Sequence, residues 1–250
     1  MSKVISISNH KGGVGKTTTA INVGAGLNKL GKKVLLIDLD AQANLSQSLA
    51  IPAGERNIYG AIRGEYKAEP INILKGLDII PSTLDLSGAE IELSSEAGRE
   101  YILKELIEPF KRSYDYIIID SPPSLGLLTI NALTASDEVL LPLQPEYLAL
   151  QGLTKLIEVI DKIQKRLNKK LRVGGIVITQ YDKRKVLNRD VVAFIKENIS
   201  YKGDLFNTMI RDNIALAEAP TKGLDIFRYS PKSKGAEDYL SLCKEILKNK

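Results

Sequence analysis

Residues 11 to 18 read Lys11-Gly12-Gly13-Val14-Gly15-Lys16-Thr17-Thr18. An apolar run, Val4-Ile5-Ser6-Ile7, precedes them, and a helix-like stretch, Ala20-Ile21-Asn22-Val23-Gly24-Ala25-Gly26-Leu27, follows. Strand, glycine-rich loop and helix in that order is the setting in which Gly-Lys-Thr binds phosphate. Glycines let the backbone curl around an anion with its N–H groups inward, and the helix turns its positive dipole end to the same anion. Lys16 can then reach the β- and γ-phosphates of a nucleoside triphosphate, and the Thr17 hydroxyl can ligate Mg²⁺. The loop departs from the general pattern in one respect. His10 occupies the place of its first glycine, and a second lysine, Lys11, stands beside it.

The rest of the chain fits an α/β reading. Strand candidates are Val4–Ser8, Val34–Ile37, Leu77–Ile80, Tyr116–Ile119, Glu138–Leu141 and Gly175–Thr179. They are mostly continuous apolar runs, as expected of strands buried on both faces. Helical patterns lie between them, at 17–30, 97–110, 126–135, 148–168 and 186–198. Repeated β–α units imply a doubly wound, mostly parallel sheet with helices on both faces, whose ligands bind beyond the carboxyl ends of the strands. A last helix over Ser233–Leu247 carries Ala236, Tyr239, Leu240, Cys243, Ile246 and Leu247 at helical spacing, the mark of a face docked on the core. No linker or repeat interrupts the 250 residues, so the expectation is a single P-loop ATPase domain over 1–250.

Composition narrows the class. Apolar residues make up 44% and charged residues 26%, an ordinary globular balance with no run long enough to span a bilayer. The first strand begins almost at Met1, leaving no room for a signal peptide. The single cysteine, Cys243, excludes an internal disulfide and suits a reducing cytoplasm. Net charge is +5, yet segment 151–190 holds eleven Lys/Arg against four Asp/Glu. That imbalance suits a polyanion-binding face, or equally a set of solvated helix faces.

Two acidic motifs accompany the loop. Strand 34–37 runs into Asp38-Leu39-Asp40-Ala41-Gln42. Alternate residues of an extended chain point the same way, so Asp38 and Asp40 can face one pocket. There they can hold a metal's water shell or orient an attacking water. Strand 116–119 delivers Asp120, followed by Ser121-Pro122-Pro123; an apolar strand ending in Asp is the Walker B pattern, which makes Asp120 a candidate to hold a magnesium-bound water.

On these residues the chain resembles the ParA/MinD/nitrogenase-iron-protein family, whose deviant Walker A motif is Lys-Gly-Gly-Val-Gly-Lys-Thr-Thr. The resemblance implies that Lys11 crosses to the nucleotide of a partner subunit, so that ATP joins two copies face to face. Asp38 to Gln42 is similar to the family's Walker A′ motif, which implies that Asp40 positions the hydrolytic water and Asp38 supports Mg²⁺ or Lys11. Pro122–Leu133 is similar to the ParA-like switch region. The implied catalytic set is Lys11, Lys16 and Asp40. The implied ATP site spans Lys11, Gly12, Gly13, Val14, Gly15, Lys16, Thr17 and Thr18 with Asp38, and Mg²⁺ would be held at Thr17, Asp38 and Asp120. A nitrogenase-like iron–sulfur protein would need two cysteines per subunit.

Three later stretches narrow the resemblance to ParA/Soj: Gly175–Asp182, Arg211–Pro220 and Tyr229–Tyr239. Thr179, Met209 and Arg211 fall where the resemblance suggests an adenine pocket, with core packing an equal alternative for Thr179 and Met209. Relatives often carry Ile-Pro-Arg-Asn where this chain has Ile210-Arg211-Asp212-Asn213, and some carry a DNA-contacting arginine in place of Ala215. Candidate DNA contacts are Lys183, Arg184, Lys185, Arg189, Lys222, Lys232 and Lys234, since Lys and Arg suffice for phosphate-directed binding without sequence preference. The implied activity is a Mg²⁺-dependent ATPase, weak alone and stimulated by a ParB-like centromere-binding partner. It would form an ATP-dependent homodimer on non-specific double-stranded DNA and segregate plasmids or chromosomes in the cytoplasm, on the nucleoid and not on a membrane. The alternatives are a MinD-like ATPase, whose membrane helix would follow Leu247 where only Lys248-Asn249-Lys250 stand, and a positioning ATPase for a non-DNA cargo. Cobyrinic-acid-type ligases, taken to carry an extra catalytic domain, are disfavoured by length.

Overall fold

A computed structural model of the chain describes residues 2–52, 54–146, 149–198 and 205–248, apart from the side chains of residues 149–151. Seven strands form one sheet: β1 (Lys3–Ile7), β2 (Val34–Asp38), β3 (Ile71–Leu74), β4 (Leu77–Ile80), β5 (Tyr116–Asp120), β6 (Glu138–Leu143) and β7 (Arg172–Ile178). Their order is β3-β4-β2-β5-β1-β6-β7. Every pair is parallel except the β3–β4 hairpin at the edge.

Both faces of the sheet are covered, and the strand sequences show why. Ile5, Ile7, Leu36 and Ile118 point into one apolar layer, while Val4, Leu35, Ile37, Ile117 and Ile119 point into the other. A period of two with apolar residues at both phases reads as a continuous apolar run. The first layer is closed by the helix Lys16–Lys29 and the terminal helix Lys234–Lys248, which pack together. Gly26 permits that approach: a Cβ there would stand 2.5 Å from Cys243 Sγ.

Differences from the sequence-based expectation have local causes. β3 was missed because it is short, half-exposed and carries polar Asn72; the Lys75-Gly76 turn, with Gly76 at φ 81°, folds it back on β4. β7 starts three residues before Gly175, at Arg172, because pairing with β6 extends the ladder into polar sequence. The 97–110 pattern shortens to a helix at Ile102–Ile107 followed by a 3₁₀ turn carrying Pro109, Glu108–Arg112. On the terminal helix Leu242 is fully buried, whereas Leu240 is only half-buried.

Strand β1 is central, between β5 and β6, and the chain leaves it for β2 on the far side of β5. The ends of β1, β2 and β5 therefore converge, and Asp38 lies in register with Asp120 across the β2–β5 pair. Such a switch point is where open α/β sheets bind ligands.

Candidate nucleotide-binding site

The glycine-rich loop leaves β1 and enters its helix through Gly15 at φ 84°, with Gly13 at φ 76°. These are left-handed conformations that side chains rarely adopt. The loop is braced from below. Asn9 donates to Pro142 O at 2.7 Å and accepts the Lys11 N–H at 3.0 Å. Thr179 donates to Val14 O at 2.8 Å, and Gln180 donates to Gly13 O at 2.8 Å. A Cβ at Gly12 or Gly13 would meet no atom within 4 Å, so the loop rims open space.

His10, in place of the usual glycine, turns its ring onto Gly152 of the helix Ala149–Arg166; a Cβ at 152 would stand 1.7 Å from its Cε1. Burial, with Lys155, Lys16 and Lys11 nearby, keeps the imidazole below its ordinary pKa. Lys16 is buried and its Nζ donates to Lys11 O at 3.0 Å. Burial lowers the pKa of its ammonium, and Asp120 and Asp40 partly restore it.

Lys11 is partly exposed and ion-paired. Its Nζ lies 2.5 Å from Glu146 Oε2, just beyond β6. Sequence reasoning missed Glu146, although its position past the carboxyl end of an interior strand, Leu143-Gln144-Pro145-Glu146, is the signal that singled out Asp38 and Asp120.

The Thr17 hydroxyl donates to Asp120 Oδ2 at 2.7 Å. Asp120 Oδ1 is buried with no hydrogen-bond partner among the described residues. Burial drives the Asp120 pKa well above the usual carboxylate range, and the neighbouring Asp38 adds to the rise. Asp38 is pushed up to about 6, chiefly by burial, against the opposing bonds from Ser46. Its Oδ2 accepts the Ser46 N–H at 2.9 Å and hydroxyl at 2.7 Å, and its Oδ1 accepts the Asp40 N–H at 3.3 Å. The orphaned Asp120 oxygen beside the Thr17 hydroxyl fits a Mg²⁺ ion, which is commonly held by one or two carboxylates plus substrate phosphates. Thr17 and Asp120 offer the open positions, whereas the Asp38 oxygens are engaged by Ser46 and the Asp40 backbone. Asp40 is buried, and its Oδ1 accepts the Gln42 N–H at 3.0 Å.

Beside the loop lies a cavity of about 300 Å³ lined by Gly15, Thr18, Thr179, Gln180, Ile210, Arg211, Asp212, Asn213, Leu216, Ala217 and Tyr239. It suits the base and ribose of a nucleotide whose phosphates lie on the loop. Thr179 is in its wall. Met209, expected there, is not: it packs into the apolar cluster with Leu143 and Ile178. The Arg211 guanidinium is engaged by Asp238 and Glu237 at 2.6 Å each.

An adjoining cavity of about 520 Å³ is lined by Tyr181, Asp182, Lys183, Arg184, Arg211, Asp212 and Lys234. It gathers three of the expected DNA residues. Lys185, Arg189, Lys222 and Lys232 are exposed outside its lining. Arg184 bonds to Asp182, holding that carboxyl below its usual range, and Arg189 Nη1 donates to Lys183 O at 2.8 Å.

Residues 2–173 match the AAA domain family. The chain is 46% identical over 256 residues to the sporulation initiation inhibitor protein Soj of Bacillus subtilis, covering 100% of both chains. It is also 46% identical to the chromosome-partitioning ATPase Soj of Treponema pallidum, covering 99% of this chain and 98% of that one. A crystal structure described as cobyrinic acid a,c-diamide synthase of Mycobacterium smegmatis, with bound ADP and magnesium, superposes with a TM-score of 0.88 at 34% identity. It spans 99% of this chain and 95% of its own, so length does not separate the present chain from a protein so described, and the expectation of an extra domain there is corrected. Among the described residues no helix is long and apolar enough to cross a membrane.

Proposed function

This chain belongs to the Soj/ParA family of partitioning ATPases, and on that premise we propose that it hydrolyses ATP with Mg²⁺, dimerises on ATP and binds duplex DNA without sequence preference. A ParB-like centromere-binding partner would stimulate its turnover, and the cycle would move plasmid or chromosomal DNA across the nucleoid. The observation that carries the nucleotide reading is the convergence of Lys16, Thr17 and Asp120 on one glycine-rich loop, with an Asp120 oxygen that has no partner among the described residues.

In this reading the loop N–H groups and Lys16 bind the triphosphate, and the neighbouring cavity takes the base. Bound Mg²⁺ supplies charge neutralisation on the phosphates. Asp40, buried and hydrogen-bonded to the Gln42 N–H, holds a water in line with the γ-phosphate. Lys11 leaves Glu146 and crosses to the nucleotide of a second copy. Ser121, whose hydroxyl donates to Ile7 O at 2.9 Å, ties the segment after β5 to the end of β1, so loss of the γ-phosphate can be felt by Pro122–Gly126.

Sizing the Asp40→Ala protein with and without ATP, then with arbitrary duplex added, tests the scheme. A dimer only with ATP, binding duplex only as a dimer, is expected. A monomer throughout defeats it. The 34% likeness to the protein described as a cobyrinic acid synthase favours a second reading, ATP-driven activation of a small-molecule carboxylate. ATP turnover that requires such a carboxylate and ignores DNA and partner would favour that reading.

A further inference from the structure

We propose that Asp238, on the terminal helix, is a positioning residue for the nucleotide's base: it holds Arg211, and through Arg211 the wall of the base cavity. The inference rests on the nucleotide reading of that cavity and concerns how its shape is kept.

Two segments form the wall. Residues 179–181 follow β7, with Gln180 at φ 51°, and residues 210–213 run beside them, joined by Ile210 N–H to Ile178 O at 2.8 Å, Tyr181 N–H to Ile210 O at 3.0 Å and Asp212 N–H to Tyr181 O at 3.1 Å. The ladder between them is that short. Its outer segment is fixed from the terminal helix. Asp238 Oδ2 accepts the Arg211 backbone N–H at 2.9 Å and its Nε at 2.9 Å, while Oδ1 accepts Nη2 at 2.6 Å. Glu237 Oε2 takes Nη2 as well, at 2.6 Å. The Asp238 side chain is 9% exposed. One buried carboxylate thus grips both the main chain and the guanidinium of the same residue, and bidentate pairs of this kind fix orientation as well as position.

The same helix repeats the device one stretch earlier. Glu245 accepts the N–H groups of Asn207 at 2.9 Å and Thr208 at 2.8 Å. Tyr239, next to Asp238, lines the cavity itself, and its hydroxyl lies 3.2 Å from that of Thr19 on the phosphate-loop helix. The terminal helix therefore touches the cavity at one residue and carries its wall with the preceding one. The Arg211 guanidinium is braced in this strut through its Nε and Nη2.

Calorimetric titration of Mg-ATP and of Mg-tripolyphosphate into the wild type, Asp238→Asn and Arg211→Gln separates the possibilities, because tripolyphosphate has no base to place. Asp238→Asn is expected to weaken ATP roughly tenfold and to leave tripolyphosphate within about twofold, with KM rising and kcat kept. Arg211→Gln, cutting the strut from its other end, should give the same pattern, and the double variant should be no worse than either single one. Unchanged or tighter ATP binding would overturn the proposal, the latter because a freed guanidinium would then be a direct ligand contact. So would equal losses for both ligands, or additive single effects. A wild type that binds neither ligand would instead remove the nucleotide reading itself.

Discussion

Lys11 Nζ and Glu146 Oε2 lie 2.5 Å apart within one chain, so the loop's extra lysine is held at home by the segment that follows β6. Both side chains are partly exposed, at 36% and 44%, and pairs of that kind contribute about 0.2–1 kcal/mol. The contact is therefore easily broken. Glu146→Gln should speed ATP-driven association by no more than about fivefold, followed by light scattering after rapid mixing. Slower association than the wild type would mean that Glu146 serves the assembled state instead.

Lys16→Ala removes the buried ammonium that reaches over the loop. Affinity for a fluorescent ATP analogue should fall by about a hundredfold or more, as for loss of a charge-assisted contact in a buried site. Retained affinity would displace the phosphates from the loop.

Arg184 is 85% exposed at the rim of the larger cavity. Arg184→Glu should weaken binding to arbitrary duplex by about tenfold or more and flatten its dependence on salt by roughly one phosphate contact. Size-exclusion of the ATP-bound form should be unaltered. Normal duplex binding would move the DNA surface away from this loop.

The Ser46 hydroxyl donates to Asp38 and accepts the Ser82 N–H at 3.1 Å, all three being buried. Ser46→Ala strands the Ser82 N–H and removes one of the two bonds to Asp38 Oδ2, which keeps the backbone N–H of residue 46, at a cost of about 1–3 kcal/mol. The melting temperature measured without nucleotide should fall by several degrees, at about 2–4 °C per kcal/mol for a chain of this size. A melting point equal to the wild type would show that water replaces the hydroxyl.

Much of this fold is legible because its strands are buried on both faces and its loop chemistry is local. Gly13, Gly15, Lys16, Thr17 and Asp120 announce themselves by spacing alone. The partners of those residues do not. Glu146, Ser46 and Asp238 act across the chain, 135, 8 and 27 residues from Lys11, Asp38 and Arg211. β3 and the short helices Asn44–Ser48 and Ile58–Ile62 are legible only once built, since four or five residues carry no period. Met209 takes the core-packing alternative: its neighbour Ile210 lines the cavity, whereas Met209 packs against an apolar cluster.

The fit of the His10 ring against bare backbone at residue 152 has a consequence for lineage. Any side chain at 152 evicts the imidazole, and a shrunken residue at 10 leaves a hole over 152. Among descendants of this chain the two sites should therefore tend to change in step, a bulkier 152 arriving more readily alongside a slimmer 10.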